Sequence, residues 1–473
     1  MAIFDPDELS DWSNGDWKGS PRDAISGFSI DSRKISSGDL FVAVTAERDG
    51  HEFLSSAEKN GASAGLVHKL RLDVPLPQLL VKDSLRAFHD IAHNYRNKFL
   101  GTVVGITGSC GKTSTKDILT LLLGENETLC TEGNFNNHLG VPLTLLRFDS
   151  KVHKRSVVEA GINEIGEMRL LAKTISPNVV IVTVIAPSHL EGLKDVETIA
   201  SEKADLFEKS EGNPLVIFPE DCLKYEKFLN RYNRGEGVIV LREGEPVSEP
   251  NSNEAFYSIW TETNKIGGSS LLRLWRHGSP SVSFSFPLLS EGMGRNIALA
   301  VLAASELGVS VQEISERLPR FRPSALRGRF FQGRGRSYFV DCYNANPASM
   351  QDSLEFFRKQ FSGTPKLYVL AGMEELGEDE KKLHIQVGRT LKVEREDLII
   401  LIGEKASWMA PALLENEVSE GQVMVLPELS NAIPVVEDFD GSVLFKGSRS
   451  YALENLLPSW AVEGSEAKKE GLC

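Results

Sequence analysis

Short runs of β-branched and aliphatic residues, each closed by a glycine or a polar turn and followed by helical spacing, recur along almost the whole chain. Near the amino end, "GDLFVAV" (38–44) reads as a strand after a turn. "HEFLSSAEKNGA" (51–62) reads as a helix ending at Gly61, and "AGLVH" (64–68) as a second strand. "SLRAFHDIAHNYRNKF" (84–99) has apolar residues at helical spacing and leads into the next unit. From about residue 100 the apolar runs are continuous rather than alternating: "TVVGIT" (102–107), "SVVEAG" (156–161) and "NVVIVTVIA" (178–186). Strands of that kind are buried on both faces, the habit of parallel sheets covered by crossover helices. The helical stretches "KTSTKDILTLLLG" and "EIGEMRLLAKTI" follow the first two runs.

A looser Gly/Ser/Asn-rich section (about 233–283) predicts an antiparallel edge or a loop region, and the helix "NIALAVLAASELG" (296–308) closes the unit. "RLPRFRPSALRGRF" (317–330) holds two prolines and five arginines, a linker that becomes functional if the arginines face a cleft. Beyond it, "SYFVDCYNANP", "KLYVLAG", "DLIILIG" and "GSVLFKGSR" are four more strand-like runs separated by helical segments. The expected fold is therefore α/β in three domains: residues 1–98, a central doubly wound unit over 99–322, and a third α/β domain over 323–473.

Composition changes this picture mainly by exclusion. A chain of 473 residues suits two to four domains of about 100–200 residues each. With 41% hydrophobic and 25% charged residues it has the make-up of an ordinary globular protein. The formal charge of −14 argues against nonspecific binding to nucleic acid or an anionic membrane, which needs a basic surface. The cysteines (Cys110, Cys130, Cys222, Cys342, Cys473) are scattered without metal-ligand spacing, so reduced thiols in the cytoplasm are expected. "MAIFDPDELSDW" lacks the basic and apolar regions of a signal peptide, and no apolar run is long enough to span a bilayer.

Candidate chemistry centres on "GITGSCGKTSTK" (105–116). The full P-loop pattern places a glycine six residues before the lysine, and Ile106 stands there. What remains is a shorter loop, Gly108, Ser109, Cys110, Gly111, Lys112, Thr113 and Ser114, between a strand and a helix. Glycines admit close backbone approach, the helix N-terminus faces an anion, and Lys112 adds a full charge. Thr113 is placed to ligand Mg²⁺. Glu159 ends the next buried run and His189 follows the third. Open α/β sheets bind ligands at such carboxyl ends. Lys203, in "ASEKADLF", has nothing in its spacing to separate it from a solvated helix lysine.

These residues also carry a resemblance. "TGSCGKTSTK" looks like the short loop of the Mur ligases, ATP-dependent enzymes that build the peptidoglycan stem peptide. The match runs nearly the whole chain: "DSRKISSGDLFVAV", "TEGNFNNHLGVPLTLL", "EAGINEIGEM", "APSHLEGL", "VDCYNANPASM", "AGMEELGE" and "FKGSRS" follow in order. The strings "YNANP" and "GNFNN…GVPLTLL" imply the family member that joins D-alanyl-D-alanine to UDP-N-acetylmuramoyl-tripeptide. The resemblance implies a small N-terminal α/β domain for the uridine diphosphate end and a central P-loop ATPase-like domain. It also implies a C-terminal Rossmann-like domain for ATP and the incoming dipeptide, in a monomer without membrane insertion. ATP would phosphorylate the tripeptide's terminal carboxylate, and the dipeptide amine would displace the phosphate.

By resemblance, Lys112 and the loop amides hold the β,γ-phosphates, while Thr113 and Glu159 hold one Mg²⁺. His189 ligates a second Mg²⁺, and Lys203 supports it as a carbamate. Ser32 and Arg33 face the uridine diphosphate half, with Asn134 and Asn137 nearer the muramoyl peptide. Asn296, Arg329 and Asp341 match ATP contacts. Tyr343, Asn344 and Asn346, with Lys446, Ser448 and Arg449, line the dipeptide side. Three places depart from the family pattern: Gly292 and Met293 replace a His-Asn pair near adenine, Arg327-Gly328-Arg329 replaces Pro-Gly-Arg, and Gly372 replaces an aspartate. A sister ligase adding a diamino acid would carry a "DNPR" string, which is absent. A nucleotide-binding scaffold without turnover is a further alternative, against which Lys112, Glu159, His189 and Lys203 count.

Overall fold

The computed structural model describes residues 3–463 apart from 22–23, 236, 263–266, 325 and 417, so Cys473 and the polar tail beyond Glu463 lie outside the described residues. Its strands form three sheets, of five, nine and six strands. The chain divides into two compact units. The first takes Met1–Thr107, Leu123–Ile181 and Glu202–Ile217; the second takes Gly108–Leu122, Val182–Ser201 and Phe218–Cys473.

In the first unit, Asp16–Lys18, Gln78–Leu80, Ala64–Val67, Asp39–Val42 and Gly27–Ser29 lie side by side in that order. All pairs are parallel except the first. Phe41, Ala43, Leu54, Val67 and Leu76 pack into one apolar cluster beside this sheet. The helix Ser84–Asn97 follows, with the Asp83 carboxylate capping the amide of Arg86. Its Arg96 is buried and satisfied: the guanidinium donates to the carbonyls of Ile175 at 2.9 Å and Ser176 at 2.8 Å and to Asn178 Oδ1 at 3.0 Å. That network fixes the entry to the strand Val179–Val182. Leu215–Pro219 runs parallel to this strand, while Thr102–Thr107 and Thr128–Cys130 both run parallel to Arg155–Glu159. The continuous apolar runs are thus buried parallel strands, as their pattern requires.

In the second unit, the Gly/Ser/Asn-rich section is an edge of strands, the first of the two readings its composition allowed. Val238–Glu243 pairs parallel with Glu254–Thr261, and Ser269–Arg276 and Ser279–Pro287 continue the sheet antiparallel. The six-stranded sheet runs Arg329–Gly333, Arg336–Asp341, Ser442–Lys446, Lys366–Ala371, Leu398–Ile402, Val423–Leu426, parallel except at the first pair. Tyr338, Val340, Val369, Ile400 and Phe445 belong to its core. Four linker arginines are taken up by near neighbours. Arg317 donates to the Leu122 carbonyl at 2.5 Å and Arg322 to those of Pro319 and Phe321, while Arg327 and Arg329 lie over the rings of Tyr343 and Phe331. Among the described residues no helix is long and apolar enough to cross a membrane.

Candidate active site

The loop after Thr107 is shaped by contacts that leave no room for side chains. Gly108 and Gly111 have φ of +148° and +81°. A Cβ on Gly108 would fall on Thr183 Oγ1, and one on Gly111 would come within 2.6 Å of Asn296 Oδ1. Between them, the Ser109 amide donates to the Val184 carbonyl at 2.8 Å and its hydroxyl to the Ala186 carbonyl at 2.6 Å. Thr183 Oγ1 donates to the Cys110 carbonyl at 2.5 Å. The helix Lys112–Leu123 starts at once, and Lys112 Nζ folds back to the Gly108 carbonyl at 2.8 Å. The result is a short arch of backbone at a helix N-terminus with an ammonium at its mouth, an arrangement whose chemistry suits an anion.

Residues far along the chain complete this site within the second unit. Burial pushes the Cys110 thiol up, against the opposing effect of Lys112 and a hydrogen bond with Asn346. Asn346 otherwise caps the helix Pro347–Gln360, its Oδ1 accepting from the Ser349 amide at 2.8 Å. From the same helix, Asp352 accepts from the Ser290 hydroxyl at 2.7 Å and from the Gly292 amide at 2.8 Å. A Cβ on Gly292 would sit 2.7 Å from that carboxylate. The glycine that broke the family pattern is therefore the space Asp352 needs to cap the helix Glu291–Glu306, at its positive end. Burial holds the Asp352 carboxyl above its ordinary range despite these bonds.

Asp341 and Lys446 end neighbouring strands in register. Lys446 Nζ is buried, 3.0 Å from Asp341 Oδ2, and donates to the Asn344 carbonyl at 2.9 Å. Ser353 donates to Asp341 at 2.5 Å. Tyr343 lies under Arg327, whose guanidinium is 3.8 Å from the ring centroid. Ser448 accepts from the Glu374 amide at 3.1 Å, and Arg449 pairs with Glu454. Gly372 also has its physical reason: a Cβ there would lie 2.5 Å from the Tyr451 hydroxyl. His189, at φ +51°, pairs through Nδ1 with Glu375. The imidazole holds the Glu375 carboxyl below its ordinary range, against burial.

In the first unit, Glu159 is buried at the end of its strand. Its carboxylate accepts from Asn136 Nδ2 at 2.8 Å, and its amide donates to Thr131 Oγ1 at 2.9 Å. Asn136 was not singled out by sequence reasoning. Its signal lay in "GNFNN", where Asn134 and Asn137 were preferred. Asn137 Oδ1 accepts from the Leu139 and Gly140 amides at 3.1 and 2.9 Å, just before the helix Gly140–Leu145, while the Asn134 carbonyl accepts from the Asn136 amide. Lys203, indistinguishable by spacing from a solvated lysine, is fully buried on the helix Val196–Glu208. Ser32 is buried, and exposed Arg33 forks onto Asp31 through two 2.9 Å bonds, which hold the Asp31 carboxyl down to about 2.

The second unit thus brings together the glycine loop, Asn296, Asn346, Asp341 and Lys446; the first unit separately builds the Glu159–Asn136 pair. No group of three or more His, Cys, Asp or Glu side chains is arranged to hold a metal among the described residues. Within the first unit, the buried Glu159 carboxylate oriented by Asn136 is a donor of the kind that holds Mg²⁺ beside substrate phosphates and water.

Residues 106–304 match the Mur ligase middle domain, and residues 327–449 match the Mur ligase glutamate ligase domain. The chain is 30% identical over 466 residues to the UDP-N-acetylmuramoyl-tripeptide–D-alanyl-D-alanine ligase of Escherichia coli K12, covering 97% of this chain and 98% of that protein. Its fold superposes on a crystal structure of MurF from Acinetobacter baumannii with a TM-score of 0.84 at 26% identity, covering 96% of this chain and 98% of the other. Against MurF from Thermotoga maritima in complex with ADP the TM-score is 0.76 at 25% identity, covering 94% and 99%.

Proposed function

The chain belongs to the Mur ligase family, and on that premise we propose how its residues divide the work of an ATP-dependent ligase. The enzyme joins D-alanyl-D-alanine to UDP-N-acetylmuramoyl-tripeptide in peptidoglycan precursor synthesis, releasing ADP and phosphate. The observation that carries the reading is the arch from Gly108 to Lys112, fixed by Thr183 and Asn296.

We assign the phosphates of ATP to the amides of 108–114 and to Lys112, which leaves the Gly108 carbonyl to meet them. Phosphoryl transfer is mostly positioning and charge neutralisation, so a loop already fixed loses little on binding. Asn296, Arg329 and Asp341 are assigned to the nucleoside side. We assign Thr113 and Glu159 to one Mg²⁺ and His189 to a second; such ions would neutralise charge on the phosphates as they are transferred. Asn136 keeps the Glu159 carboxylate oriented for that task. A carbamate on Lys203 would turn a buried cation into an anion able to support a metal.

Ser32 and Arg33 are assigned to the uridine diphosphate end, Asn134 and Asn137 to the muramoyl peptide. Tyr343, Asn344, Asn346, Lys446, Ser448 and Arg449 are assigned to the dipeptide. We divide the chain functionally at 98/99 and 322/323, as a cytoplasmic monomer. The test is phosphate release and product mass with UDP-N-acetylmuramoyl-tripeptide, Mg-ATP and a panel of amines. Release only with D-alanyl-D-alanine is expected. Release with a free diamino acid and the dipeptide precursor would assign a sister reaction, and silence with every pair would leave a scaffold.

A further inference from the structure

Two helices reach the glycine loop near their N-terminal ends, and one carboxylate joins them to each other. Helix Glu291–Glu306 presents the buried Asn296, whose side chain occupies the space a Cβ on Gly111 would need. Helix Pro347–Gln360 begins at the buried Asn346, which meets the Cys110 thiol one residue earlier in the loop. From this second helix, Asp352 Oδ2 accepts from the Ser290 hydroxyl at 2.7 Å and Oδ1 from the Gly292 amide at 2.8 Å. The adjacent Ser353 donates to Asp341, which pairs with Lys446. The loop and the two helices therefore close a ring of contacts, all within the second unit.

A further link between the helices, Lys359 to Glu291 at 2.9 Å, lies at the surface, with the Glu291 side chain 81% exposed. Pairs of that kind hold little. The Asp352 link differs in kind: both oxygens are engaged, and one satisfies an orphan amide in the first turn of a helix. It also excludes a side chain. Gly292 lies inside a helix, where alanine is the better former, yet a Cβ there would stand 2.7 Å from Asp352 Oδ2. We propose that Asp352 is a positioning residue for phosphoryl transfer: it sets the spacing of the two helix starts and thereby fixes the Cys110–Gly111 segment between Asn346 and Asn296. Asp352 touches no phosphate in this role and acts only through those two asparagines. The inference rests on the reading of the loop as the phosphate site of ATP.

The test compares wild type with Asp352→Ala, Asp352→Asn, Gly292→Ala and the Asp352→Ala/Gly292→Ala double variant. Each is assayed well below its own unfolding midpoint, and ADP binding is followed by calorimetry. Asp352→Ala should lower kcat roughly tenfold to a hundredfold and leave KM for the UDP-linked substrate unchanged. Asp352→Asn, whose amide can accept from Gly292 and donate to Ser290, should recover most of the lost rate. Gly292→Ala strikes the carboxylate from the other side and should lower kcat in the same way. The double variant should be no slower than Asp352→Ala alone, because the contact is already gone. An Asp352→Ala protein that loses stability but keeps its kcat would overturn the proposal. So would an Asn variant no better than Ala, or losses that multiply in the double variant. Wild type that binds no ADP would instead contradict the phosphate reading of the loop.

Discussion

The phosphate loop and the Asp31–Lys34 turn each present a cation beside short polar residues, yet they are held in opposite ways. The first four positions of the loop are each held by a residue outside it: Gly108 by Thr183, Ser109 by Val184 and Ala186, Cys110 by Thr183 and Gly111 by Asn296. The Arg33 side chain is 84% exposed, and its fork goes to Asp31, two residues away. A surface pair of that kind adds little stability and can be exchanged for a ligand phosphate at little cost. A loop anchored from afar arrives preorganised, which is what transfer of a phosphoryl group rewards. The turn is suited to binding and the loop to chemistry.

That contrast breaks most visibly at Lys112. Lys112→Ala should lower kcat by roughly a hundredfold to a thousandfold with an unaltered circular dichroism spectrum; turnover near wild type would remove the loop from the mechanism. Next in size is Gly111→Ala, which places a Cβ against Asn296 at φ +81°. It should cost about 1–2 kcal/mol in denaturant unfolding and depress kcat in parallel, because the arch itself moves. Arg33→Ala should leave kcat alone and raise KM for the UDP-linked substrate by about tenfold, the signature of binding shared equally by ground and transition states.

The smallest effect concerns Asp31. Its folded carboxyl is held near 2 against an ordinary value of 3.8. A depressed folded value means that its contribution to stability is present above about pH 4 and is lost as pH falls toward 2. Asp31→Asn should flatten that part of the acid-unfolding curve and lower stability at pH 7 by the same small contribution, leaving stability near pH 2 nearly unchanged. A steeper acid limb in the variant would contradict the pairing with Arg33.

The sequence disclosed the parallel strands because burial on both faces leaves continuous apolar runs, as at 102–107 and 178–186. The section over 233–283 was ambiguous, since strands such as Ser279–Pro287 alternate serine with apolar residues and imitate a loop. The glycine loop and Lys112 were legible from local order alone. Three features were not, because each depends on a distant partner. Spacing could not separate Asn136 from Asn134 and Asn137, and only the fold shows which one meets Glu159. Lys203 is buried by packing that its own helix does not announce. Gly292 and Gly372 read as departures until Asp352 and Tyr451 are seen to occupy their missing side-chain space.

The central claim is that ATP is spent on a carboxylate. It is tested most directly with UDP-N-acetylmuramoyl-tripeptide carrying ¹⁸O in its terminal carboxylate, followed by mass analysis of the inorganic phosphate released with D-alanyl-D-alanine and Mg-ATP. Activation through an acyl phosphate predicts that one carboxylate oxygen leaves with the phosphate, so the phosphate gains a single ¹⁸O. Unlabelled phosphate accompanying amide formation would contradict the account.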